Sequence, residues 1–230
     1  RIYEYCRDHV MNVDDDATGM TPEQLKNVKP NKKPSDAISR GTGTWHDKDM
    51  LFGAMLASIG IDVRVANVAS RTEPAFDRSL GNAFFIRAEI IAAKIGDSWR
   101  FFAPSGRYIP YGSLPSTVEG EPVLISDKEK PFFVNTPRSS PEVSVRKRTA
   151  DLHLNEDGTV EGDVRIEYTG QLGAALKEQN DDRTTAEREK ILTDSIKSQT
   201  IGTAEITAIS IENVTDGNKP FTYAFHIKLP

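Results

Sequence analysis

A short run in the first half of the chain constrains its fold more than any other. Gly41-Thr42-Gly43 breaks the backbone, and Thr44 stands ready as an N-cap. Asp47, three residues on, completes a capping box with Asp in place of the usual Glu. A helix is predicted over 45–59, with Leu51, Phe52, Met55, Leu56 and Ile59 as its buried stripe. Gly60 closes that helix, and residues 61–68 alternate as a half-buried strand does.

The flanking sequence adds elements of both kinds. Residues 1–11 predict an amphipathic helix on which Ile2, Cys6 and either His9 or Val10 share a face. The polar stretch 12–34 reads as a loop in which Thr21-Pro22-Glu23 starts one helical turn, and Ser35 caps a brief helix at 36–39. A long strand is predicted at 84–95, turned by Gly96-Asp97 into a hairpin with 98–102. The Pro/Gly-rich residues 103–115 then predict irregular backbone on the core. Prolines between 131 and 141 mark a domain boundary. Beyond it come a hairpin (143–154 and 160–168), helices at 172–179 and 185–198, and strands at 204–214 and 221–229. Thr184 and Glu187 form a second capping box.

Composition excludes several classes of function. Hydrophobic residues are 37% and charged residues 27% of the 230, enough for one large domain or two small ones with real cores. The net charge of −5 comes from both signs spread along the chain, with no basic stripe for nucleic acid. The longest apolar run, 90–95, is interrupted by Lys94 and far too short to span a membrane. One cysteine rules out an internal disulfide framework and a multi-cysteine zinc site. The four histidines make no close pair of metal-ligand type, so neither metal nor other cofactor is expected. The chain opens at Arg1 inside a helical pattern and stops at Pro230 after a strand-like run. Both ends read as cuts in a longer protein, with the C-terminal domain truncated, so a missing export signal carries no information.

Two segments carry a resemblance. GTGTWHDKDMLFGAMLASIGIDVRV (41–65) resembles the active-site segment of bacterial transglutaminase-like proteins, where a glycine turn delivers a cysteine to a helix start and an Asp-Lys pair follows. WRFFAPSGRYIPYGSLP (99–115) resembles the family's later signature, a hairpin strand ending in Asp-Pro before an aromatic run that finishes in Leu-Pro. The resemblance covers roughly 1–115. It implies an α+β fold with a papain/transglutaminase-like core, a helix bundle packed on an antiparallel sheet, over 1–135. For 142–230 it implies the small β-rich domain, here with a helical insert, that follows such cores.

The family's chemistry uses a cysteine at the helix N-terminus, a histidine on the neighbouring strand and an aspartate at the end of the next. On this alignment those places hold Trp45, Ala88 and Ala103. An indole offers one N–H donor and no ionisable nucleophile. The resemblance therefore implies a catalytically degenerate domain, a binding or scaffolding module of a larger bacterial protein. Its expected partner is a protein segment or a neighbouring domain, and its expected location is periplasmic or extracellular. Two other expectations stand beside this one: a divergent amide hydrolase or transglutaminase with an unrecognised nucleophile, and a structural spacer.

Trp45, His46, Trp99 and Tyr108 are the candidates for lining the cleft. Trp45 is expected to plug it as buried apolar area rather than to floor a ligand groove. Cys6 reads as a structural buried thiol and Thr44 as a cap. Arg107 reads as an exposed cation, and His153 and His226 as structural.

Overall fold

The computed structural model describes residues 1–15, 18–80, 82–127, 129–200 and 203–230. The chain is mixed α+β and divides into two compact units, Arg1–Ser139 and Ser140–Pro230.

The first unit opens with α1 (Ile2–His9), β1 (Met11–Asn12), α2 (Pro22–Lys26), α3 (Pro34–Arg40), β2 (Thr42–Gly43) and α4 (Trp45–Ser58). The strands β3 (Asp62–Val68), β4 (Ala88–Ile95), β5 (Ser98–Phe102), β6 (Pro122–Ile125) and β7 (Phe132–Asn135) follow. They form one antiparallel sheet in the order β5-β4-β3-β6-β7, while β1 and β2 make a separate two-residue parallel pair. Helix α4 packs on β3 and β4, and α1 and α3 pack on α4. Tyr3, Cys6, Leu51, Phe52, Ile91 and Phe102 fill the layer between helices and sheet. Ile90, Ala92, Phe101, Leu114, Val123 and Ala103 form a second apolar layer on the other face. Phe101 and Phe102 therefore point to opposite faces, as alternation along a strand requires.

Several sequence expectations need correction here. Ile59 was expected in the buried stripe but is 62% exposed, because the helix ends at Ser58 and Ile59 is its C-cap. The strand expected from 84 begins at Ala88, since the Asn82 side chain accepts from the Phe84 amide (2.9 Å) and holds a 3₁₀ turn at Ala83–Phe85. Strand β7 lies inside the stretch read as a boundary, and β6 begins at a proline, a residue tolerated as the first of a strand.

The second unit holds β8 (Arg146–Leu154), β9 (Val160–Tyr168), α5 (Gly170–Glu178), α6 (Thr185–Gln199), β10 (Glu205–Glu212) and β11 (Phe221–Leu229). Its sheet runs β10-β11-β9-β8, all antiparallel. Val164, Ile166, Leu192, Phe221, Phe225 and Ile227 form its core. Gly162 at φ +156° is obligatory in β9: a Cβ there would lie 2.0 Å from the Asp151 carbonyl oxygen across the ladder. Among the described residues, no helix is long and apolar enough to cross a membrane.

Candidate functional site

The N-terminus of α4 is built by local chemistry. The Thr44 hydroxyl accepts from the Asp47 amide (3.1 Å), and the Asp47 carboxylate accepts from the Thr44 amide (2.9 Å), closing the expected capping box. Asn31 Nδ2 donates to the same carboxylate at 3.1 Å. Gly43 must be glycine for this packing, since a Cβ would meet the Asp47 Cβ at 2.8 Å. The first helical amide, that of Trp45, donates to Asp14 Oδ2 at 3.1 Å. An internal carboxylate therefore sits where the helix dipole favours an anion.

Trp45 does not plug a cleft. It is 40% exposed, and its ring meets the His46 imidazole edge-on with centroids 5.7 Å apart. Position 45 opens the helix, and Trp45 is not part of the core between helices and sheet. His46, half exposed, places Nδ1 2.8 Å from Glu89 Oε2.

Glu89, not Ala88, is the residue of β4 that meets the start of α4. Ile91 and Ala93 share its face and pack with Leu51 and Phe52 of that helix. Ala88 alternates with Ile90 and Ala92 onto the other face, where Ala103 also packs. The structure thus brings Ala88 and Ala103 into one apolar layer but sets neither opposite Trp45. Trp99 lies on that same far face, 6.2 Å from the Phe132 ring. It pairs with Lys94, five residues along β4 from Glu89 or about 16 Å. Tyr108 is buried, with the Arg107 guanidinium 5.9 Å from its ring centroid. Of the four cleft candidates, only Trp45 and His46 come together.

One turn into α4 lies a buried charged layer that the apolar stripe did not forecast. Lys48 is 2% exposed and Asp49 1%. Lys48 Nζ donates to the Arg7 carbonyl at 3.0 Å, and burial lowers its pKa against the pull of Asp15, Asp49 and Asp8. Asp49 accepts from the amide and the hydroxyl of Ser105, each at 3.0 Å, which ties α4 to the loop after β5. Burial pushes the Asp49 carboxyl up to about 7, opposed by those hydrogen bonds and by Lys48. Arg107, expected as an exposed cation, is instead half-buried and pairs with Asp15 at 3.1 Å. Cys6 lies wholly buried in the helix-side core, and burial pushes its thiol up to about 12.

Asp14, Asp49 and Glu89 are the residues that matter here and that sequence reasoning missed. Alternation along β4, counted from Ile91 rather than from the motif, would have turned Glu89 toward the helix. Asp14 left only the faint signal of an acidic run ahead of a helix start. Among the described residues, no three His, Cys, Asp or Glu side chains are grouped to hold a metal ion. No protein-family model, curated protein or solved structure matches this chain.

Proposed function

We propose that residues 1–139 are a non-catalytic transglutaminase-like unit, a binding or scaffolding module whose contact surface is the exposed α4 N-terminus around Trp45 and His46. The observation that carries this reading is the state of the only thiol. Cys6 is sealed in the core with its pKa raised to about 12, so it supplies no thiolate at neutral pH. The amide that opens α4, which a nucleophile there would use to stabilise an oxyanion, is already taken by Asp14. An exposed indole beside an imidazole–carboxylate pair is chemistry suited to docking a protein segment, because large aromatics anchor interfaces. The bacterial, exported, multidomain setting belongs to the same proposal and rests on the two sequence segments alone.

The second reading, a divergent amide hydrolase, has the His46–Glu89 pair in its favour, which matches a base held by an orienting carboxylate. It lacks a nucleophile: among the described residues, no hydroxyl or thiol hydrogen-bonds to His46. One assay separates the two. The purified chain is incubated with a glutamine-containing peptide and a fluorescent amine, and separately with peptide alone, and Cys6 is titrated with iodoacetamide. The binding-module reading expects no amine incorporation, no cleavage, and no labelling of Cys6 until denaturant is added. Turnover that disappears in His46→Ala would replace it with the hydrolase.

A further inference from the structure

The second unit contains a cavity that the proposed function leaves unused. It lies between helices α5 and α6 and the sheet, with a volume of about 420 Å³, inside the range of small-ligand sites. The strand register gives its floor a direction. Arg146, Arg148, Ala150 and Leu152 of β8 all line the cavity, as alternate residues on one face of the strand. Across the sheet, Arg148 is in a row with Ile166 and Tyr223, while Leu152 is in a row with Gly162 and Ile227. The floor therefore changes from cationic to apolar over the six residue steps from Arg146 to Leu152, or about 20 Å.

The helical side adds to the same polarity. Asn180 and Arg183, between the two helices, line the cavity, and both act on the Tyr223 hydroxyl, which puts them at the arginine end. Ile196 and Leu229 line it as well, adding apolar surface. Arg146 and Arg148 form no ion pair among the described residues. Asn180 is 3% exposed, and its Nδ2 donates to the Leu176 carbonyl at 2.7 Å.

We propose that this cavity binds a single-chain carboxylate, of which a free medium-chain fatty acid is the simplest example. The guanidinium groups of Arg146 and Arg148 take the carboxylate, where paired N–H donors match its geometry. The acyl chain runs along Ala150, Phe225 and Ile227 toward Leu152. A cationic head meets the same two guanidinium groups and is repelled.

Calorimetric titration of the 230-residue chain with decanoate and decyltrimethylammonium tests this directly, at concentrations below micelle formation. Saturable one-site binding of the acid is expected, with no binding of the ammonium compound. Arg148→Glu should weaken the acid at least tenfold. Ala150→Trp, which fills the floor without touching a charge, should abolish binding while the melting profile stays cooperative. Equal affinity for the cationic amphiphile, no saturable binding of the acid, or unchanged binding in a folded Ala150→Trp chain overturns the proposal. The comparison between the two ligands uses the unaltered chain, so it decides the matter even where a variant fails to fold.

Discussion

Glu89 Oε2 lies 2.8 Å from His46 Nδ1, and this contact fixes which face of β4 looks at the start of α4. Glu89, Ile91 and Ala93 look toward the helix, while Ala88, Ile90 and Ala92 look away. A thiol–imidazole pair introduced here therefore needs its histidine at 89. In a Trp45→Cys background, Glu89→His should raise the rate of alkylation by iodoacetamide at pH 7 at least tenfold over Ala88→His, because only the former imidazole can reach the new thiol. Equal rates for the two double variants would refute the assignment of faces.

The Asp14 carboxylate is expected to hold the head of α4 in place. Asp14→Ala leaves the Trp45 amide without its acceptor and removes an anion from the positive end of the helix. A loss of about 1 kcal/mol in urea unfolding is expected. The loss should shrink in 1 M salt, where the dipole component is screened. A salt-independent loss would assign the effect of Asp14 to its hydrogen bond alone.

Much of this arrangement was legible in the residues, and the failures have physical causes. Thr44-x-x-Asp47 and Thr184-x-x-Glu187 announced two helix starts because both partners of each cap lie in local sequence. The turns at Gly96-Asp97 and Asp157-Gly158 are equally local. What escaped depends on parity or on distant partners. A one-residue slip in β4 moves every side chain to the other face of the sheet, so a motif alignment anchored on Ala88 mistook the residue that meets the helix. Lys48 and Asp49 carry no apolar signature, and their burial rests on Arg7 and Ser105, far away in sequence. The pairing of β1 with β2 spans two residues on each strand, too few to leave a periodic pattern.

Asp49 should make stability depend on pH. Its folded pKa of about 7 stands above the ordinary 3.8 of the unfolded chain. Its contribution is full below 3.8 and is lost progressively as the pH rises to 7, at most about 4 kcal/mol. Asp49→Asn keeps an acceptor for Ser105 and carries no charge. Relative to the parent, the variant should gain stability steadily between pH 4.5 and 7.5 in denaturant titrations. A difference that stays flat across that window would mean that Asp49 is ionised in the folded chain at all these pH values.

Gly162→Ala should be costly in the second unit. The new methyl meets the Asp151 carbonyl oxygen, and φ +156° is strained for any residue with a side chain. A loss of about 2–3 kcal/mol is expected, read as a lower urea midpoint for this unit. Gly158→Ala serves as the comparison: its φ of +89° is also unfavourable, but nothing lies within 4 Å of the added atom. The clash component is the difference between the two.

The sealed position of Cys6 has a practical corollary. With its single sulfhydryl locked away, the chain has no covalent choice to make between oxidising and reducing surroundings. Once folded, it should keep the same state in a cytoplasm or in a disulfide-forming compartment, with no reductant required to preserve it.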